Sequence, residues 1–299
     1  MIDRLVRGLF PSRGLRALVV RVGDTSRMVR VLHGLAPAPA RLFAELLAGG
    51  ALVGALQKET GARVNLQVEG DGPVRGLFVD ADPDGNVRGY VRAPTADLPG
   101  EPAAAARAVL GQAGFLSVIR DLGGGKFYRS AVALGGDDLT GVLRRWFAVS
   151  EQVETALDLC VVAKGDEPLG DVVGLLVQRL PDGDTGAVQA LRDALAGGAL
   201  ARAMARGGGA QELLAAVAGP GFELLADQEV AYRCGCSLAR ARSAVSALGA
   251  AGVAEVLAED GKAEVSCEFC HASYVLDRPA LEELLARLRE DEPGPTTTG

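Results

Sequence analysis

The chain has 299 residues, 48% hydrophobic and 23% charged, with 31 basic and 38 acidic side chains and a net charge of −7. These figures exclude wholesale disorder and the broad basic surface of a phosphate-backbone binder, and at ~150 residues per domain they leave room for two domains. The most apolar run, residues 46–56, holds three glycines and falls short of the ~18 residues a membrane span needs. Asp3, Arg4, Arg7, Arg13 and Arg16 interrupt any signal-peptide core, so a cytoplasmic protein without membrane contact is expected.

Asp24 or Thr25 can cap a first helix with Met28, Val31, Leu32 and Leu35 on one face, stopped by Gly34 and the Pro37/Pro39 pair. A second helix is predicted over 40–58, repeating Leu42, Phe43, Leu46 and Leu47. The period then changes to two. Val64, Leu66 and Val68 alternate with polar residues, a Gly-Asp-Gly-Pro turn follows at 70–73, and further strands are predicted at 74–79 and 87–92. More strands follow at 115–120, 127–134 and 155–163, with a helix carrying Leu139, Val142, Leu143, Trp146 and Phe147 between the last two. Hairpin-linked strands flanked by helices predict an α+β fold with an antiparallel sheet, forming a core domain over residues 1–181.

Residues 182–228 differ. Helix-prone Ala/Leu stretches are broken by glycines at 197–198, 207–209 and 219–221. Isolated helices this short are marginal in water, so the segment reads as a metastable helical linker; an ordinary helical hairpin belonging to either neighbour has the same periodicity. A small domain is expected over 229–290, with a helix capped by Ser237 that carries Leu238, Ala241, Val245 and Leu248 and ends at Gly249. A last helix, capped by Asp277 with Pro279 in its first turn, carries Leu281, Leu284, Leu285 and Leu288. Residues 291–299 read as a disordered tail.

Four of the five cysteines fall in this last quarter, as Cys234-Gly-Cys236 and Cys267-Glu-Phe-Cys270. An odd count crowded at one end is no secreted disulfide framework. Two short-spaced pairs from distant segments are the usual way a chain gathers four soft ligands around zinc. Residues i and i+2 of a strand face one side, so Cys234 and Cys236 can point at the same ion, and a module this small lacks the apolar core to stand on burial alone. His271 is a weaker candidate, a surface group beside Cys270, and Cys160 reads as a small buried hydrophobe in a strand. Zinc keeps its ligands as thiolates, the form oxidants attack. Structural zinc binds with ~10–16 kcal/mol in small peptides, as much as the ~5–15 kcal/mol stability of a whole domain, so oxidation that expels the ion should unfold the module.

Cys234-Gly-Cys236-Ser237 with Arg240, Ala258-Glu-Asp-Gly261, and Cys267-Glu-Phe-Cys270 with Tyr274 resemble the zinc domain of the redox-regulated 33-kDa heat-shock holdase family. Gly70-Asp-Gly-Pro73, Val87-Arg-Gly-Tyr90 and Ser150-Glu-Gln152 extend the resemblance upstream, so that it covers nearly the whole chain. The departure is at Leu238 and Ala239, where that family usually has charged residues. The resemblance implies an ATP-independent chaperone, not an enzyme, that holds one Zn2+ on the four cysteines when reduced. It implies Cys234–Cys236 and Cys267–Cys270 disulfides, zinc release and linker unfolding on oxidation. Its implied partners are unfolded client proteins and, in the oxidised state, a second copy, with clients and dimer contacts on the first domain.

Other patterns point elsewhere and fail on spacing. Asp80-x-Asp82-x-Asp84-Gly85 opens like a calcium loop, but position twelve is Val91 and the flanks are strands. Gly123-Gly-Gly125-Lys126 lacks the upstream glycine and the following Ser/Thr of a phosphate loop. A zinc-stabilised nucleic-acid binder is the alternative function, resting on Arg233, Arg240 and Arg242 beside the cysteines; the acidic chain weighs against it. A thiol oxidoreductase using Cys267 and Cys270 needs a helix after the C-x-x-C, whereas 272–276 reads as strand.

Overall fold

Two strands and a helix open the chain: β1 (Arg4–Phe10), β2 (Leu15–Arg21) and α1 (Gly23–Leu32). The structure, a computed structural model, describes residues 2–291 apart from 60, 97, 122 and 124, and forms two compact units, Met1–Arg233 and Cys234–Gly299. Neither Asp24 nor Thr25 caps α1. The Asp3 carboxylate accepts both their amides, at 3.1 and 2.7 Å, which anchors the helix with Thr25, Ser26 and Val29 buried. Met28 and Val31, expected on the inner face, are therefore 46% and 82% exposed.

α2 (Pro37–Gly54) begins on a proline at its first position, where the missing amide would have had no partner. β3 (Arg63–Gly70), β4 (Gly76–Ala81) and β5 (Asn86–Val91) follow, then α3 (Pro102–Leu110), β6 (Gly114–Asp121), β7 (Phe127–Ala133) and α4 (Leu139–Trp146). The long hairpin of β8 (Thr155–Lys164) and β9 (Glu167–Arg179) leads to α5 (Thr185–Ala196), α6 (Ala199–Arg206), α7 (Ala210–Ala218), β10 (Glu223–Glu229) and β11 (Ala231–Tyr232).

The strands make two sheets, ordered β10-β1-β2-β9-β8 and β11-β5-β4-β3-β6-β7. Every pairing is antiparallel except β11 with β5, so the fold is α+β. α2 touches strands of both sheets and is buried around almost its whole circumference. That closeness needs small residues. A Cβ on Gly50 would lie 2.6 Å from Val79, and one on Gly89 would meet the Phe78 carbonyl at 2.2 Å.

The first sheet is covered on its other face as well. Leu5, Leu18, Val20 and Leu176 join the core around α2, while their neighbours Val6, Val19, Leu175 and Val177 join a second cluster with Phe10 and Leu15. That second cluster is completed by Val188, Leu191 and Leu195 of α5, Leu200 and Met204 of α6, and Leu213 and Leu214 of α7. The glycine groups fall at the breaks between these helices, with Gly198, Gly207 and Gly219 at φ near 80°. Residues 182–228 thus fold as three helices and most of a strand within the first unit, because their apolar faces lie on its sheet. The boundary between compact units falls after Arg233 rather than at 181 or 228.

The second unit contains α8 (Leu238–Ser246), α9 (Gly249–Glu259), the hairpin of β12 (Ala263–Ser266) and β13 (Ser273–Leu276), and α10 (Arg278–Asp291). Ser237 caps α8 by accepting the Arg240 amide at 3.3 Å, and Asp277 accepts the Ala280 amide at 3.1 Å. The buried core is small: Ala241, Val245, Val253, Leu276, Leu281 and Leu285. Leu238 and Leu248, expected inside, are 45% and 56% exposed; of the residues expected on that face of α8, Ala241 and Val245 enter the core, joined by Val253 of α9. The tail expected at 291–299 lies, from residue 292 on, outside the described residues.

Candidate metal centre

Cys267 and Cys270 sit in the connection between β12 and β13. The Cys267 amide donates to the Ala272 carbonyl at 2.9 Å, and the His271 amide donates to the Cys267 carbonyl at 2.8 Å. His271 closes this turn in the left-handed region, at φ 57°, so the tight knuckle points both sulfurs the same way. Cys234 and Cys236 arrive on the segment that leads into the Ser237 cap. That segment is extended at Ser237 but belongs to no strand ladder, so helix entry rather than sheet pairing aims these two side chains.

All four Sγ atoms lie within 4.8 Å of one another. Two close separations run between the pairs: 3.6 Å from Cys234 to Cys267 and 3.3 Å from Cys236 to Cys270. A tetrahedron of sulfurs around an ion at ~2.3 Å has edges of about 3.8 Å, whereas a disulfide needs ~2.0 Å. The arrangement is that of four ligands converging on one point, and four soft sulfurs suit a thiophilic divalent ion. His271 is exposed and outside the cluster.

Tyr274 of β13 adds a contact that the cysteine spacing alone does not announce. Its hydroxyl lies 3.1 Å from Cys236 Sγ. That hydrogen bond, with Cys270 beside it, holds the Cys236 thiol down to about 7, and the same bond pushes Tyr274 up to about 12. Burial pushes the Cys234 thiol up and takes Cys270 to about 12. All four cysteines are half-buried, within reach of small oxidants. Cys160, in β8, is half-buried rather than fully buried; it packs on the second core cluster, and burial raises its thiol to about 11. Of the arginines beside the cysteines, Arg242 faces Glu283 at 3.9 Å.

The sequence belongs with a well-populated set of relatives. A family model described as Hsp33 protein matches residues 3–277. The 33 kDa chaperonin of Pelobacter propionicus is 36% identical, aligned over 97% of this chain and 98% of that one. That of Thermosynechococcus vestitus is 34% identical over 96% of this chain and 98% of its own length. Among solved structures, a 33 kDa chaperonin (heat shock protein 33 homolog) from Thermotoga maritima matches with a TM-score of 0.85 at 26% identity, over 97% of this chain and 100% of that one. No single helix among the described residues is long and apolar enough to cross a membrane.

Proposed function

The chain belongs to the Hsp33 family, and from that premise we propose that it is a cytoplasmic, ATP-independent holdase switched on by oxidation of Cys234, Cys236, Cys267 and Cys270. In the reduced state the four thiolates would hold one Zn2+, which supplies a cross-link between the segment before α8 and the β12–β13 turn. A peroxide or hypochlorite takes two electrons from each cysteine pair. One S–S bond forms between Cys234 and Cys236 and another between Cys267 and Cys270, each consuming one oxidant molecule and two protons from solvent. Hydrogen peroxide, its O–O bond broken, leaves as two waters, and hypochlorite leaves as chloride and one water. Sulfurs tied up in disulfides no longer ligate, and the small buried core of the second unit loses the support that binding energy of ~10–16 kcal/mol provides.

The same logic carries to residues 182–228. α5, α6 and α7 have 12, 8 and 9 residues, too short to persist alone in water. Their helicity therefore depends on docking. Released, they uncover Val6, Phe10, Leu15, Val19, Leu175 and Val177, a contiguous apolar face of the kind that holds unfolding chains. Activated molecules associate as homodimers in this reading, and nucleic acid has no part in it.

The convergence of the four sulfurs carries the proposal. Its test measures light scattering from a thermally unfolding client, with zinc and free thiols counted in parallel. The reduced protein is expected to hold one zinc and suppress little scattering. Peroxide treatment should remove the zinc, leave two disulfides that map to the 234–236 and 267–270 peptides, and bring suppression. No gain on oxidation refutes the switch, and cross-pairing of Cys234 with Cys267 refutes the assigned disulfides.

A further inference from the structure

β10 is the outermost strand of its sheet and, among the described residues, pairs with β1 alone, from Arg4↔Glu229 to Leu9↔Glu223 with a register shift between Arg7 and Gly8. It is also the last element of the segment assigned to release. Its side chains contribute little to holding it. Leu224 and Leu225 are 48% and 64% exposed, and no residue of β10 enters a core cluster. What holds it is the backbone ladder, the Arg4–Asp227 pair at 2.8 Å and a Gln228 amide donating to the Pro83 carbonyl at 2.8 Å. One apolar anchor precedes it. The Phe222 ring lies where a Gly8 side chain would stand, 2.6 Å from that Cβ position, with its centroid 5.6 Å from that of Phe10.

β1 is different in kind. Leu5, Val6 and Phe10 are buried, and its other edge is permanently occupied by β2. The Val230 amide donates to the Asp3 carbonyl at 3.0 Å. Antiparallel alternation then turns the backbone groups of Leu5 and Arg7 toward β10, and those of Arg4 and Val6 toward β2. Departure of β10 would leave a row of unpaired donors and acceptors beside the apolar face of Val6, Phe10, Leu15 and Val19.

We propose that the β1 edge vacated by β10 captures an extended client segment as a new antiparallel strand. This deepens the holdase reading and rests on it. Backbone pairing reads no sequence, which suits a partner that must accept many chains, and alternate side chains of the incoming strand fall on the exposed apolar face. β10 itself shows what the edge accepts: an extended segment of seven residues with an aromatic or large aliphatic side chain at the Phe222 position. Such a segment is common in unfolded chains and hidden in folded ones.

The test is residue-resolved amide exchange on the full-length protein, reduced, oxidised, and oxidised with a thermally unfolded client, with scattering followed on the same samples. The Leu5 and Arg7 amides should exchange slowly when reduced and at least roughly tenfold faster when oxidised, and be slow again once client is held. Arg4 and Val6, facing β2, should stay slow throughout. If scattering is suppressed while Leu5 and Arg7 stay fast in the complex, the holdase reading stands and strand capture falls. Protection of both amides in oxidised protein without client means that β10 or a second copy keeps the edge, and also overturns it. Scattering untouched by oxidation removes the holdase reading and this proposal together.

Discussion

Glu45, on α2, is 8% exposed and lines a cavity of about 260 Å3 with Arg41, Asp138, Arg144, Asp158 and Leu195. Burial pushes its carboxyl up to about 7 although Arg41 Nε lies 3.1 Å away, and burial raises Asp158 to about 6 against Arg144. A native pKa above the unfolded value means that the folded state binds the extra proton. The stabilisation is complete below about pH 4.5 and is lost as pH rises through about 7, by at most about 3 kcal/mol for Glu45. Leu195 and Ala196 of α5 form part of the wall, so docking of residues 182–228 shares this dependence. The urea midpoint of the first unit should fall between pH 5 and pH 8, and the neutral isostere E45Q should flatten most of that slope, leaving the part due to Asp158. An unchanged slope in E45Q refutes the assignment. At this scale the cysteines were legible because their spacing is itself the chemistry. The Asp3 cap and the Glu45 cavity were not, since each depends on residues brought together from distant parts of the chain.

Among the elements, the alternating strand β3 was legible from its period, whereas β2 and β9 were not. β3 alternates Val64, Leu66 and Val68 with polar residues, because only one of its faces meets the core. β2 and β9 are covered on both faces, so apolar runs such as Leu18-Val19-Val20 and Leu175-Leu176-Val177 replace alternation and the period of two disappears. The helices covering the second of those faces are the most consequential elements. Leu200 of α6 is fully buried in that cluster, and L200A should weaken docking by about 2–5 kcal/mol. An eight-residue helix has no reserve of its own to offset that loss. The reduced L200A protein should suppress client scattering without oxidant, with faster amide exchange across α6. A reduced variant as inactive as the parent would show that docking is not what silences the surface.

Taken whole, the molecule pairs two units of unequal self-sufficiency. The first has a large apolar core that involves both sheets and α2; the second, among its described residues, buries six hydrophobic side chains and carries the sulfur cluster. Chelation under reducing conditions should therefore act unevenly. Amides of α8, α10 and the β12–β13 hairpin should lose protection, while those of β3, β4 and β6 remain slow, as read by exchange before and after metal removal. A metal-free second unit that keeps its protection would show that its core suffices and that the sulfurs are not its structural centre.

The α+β class, the position of most strands, the caps at Ser237 and Asp277 and the four-sulfur set followed from local pattern. Periodicity, caps and ligand spacing act over a few residues, and a single chain records them directly. The burial of residues 182–228 on the first sheet, the β10–β1 pairing, the Tyr274 contact and the exposure of Met28 and Val31 on α1 were decided only in three dimensions. Each sets a residue against a partner far along the chain, and composition and period carry no information about which distant surface a given face will meet.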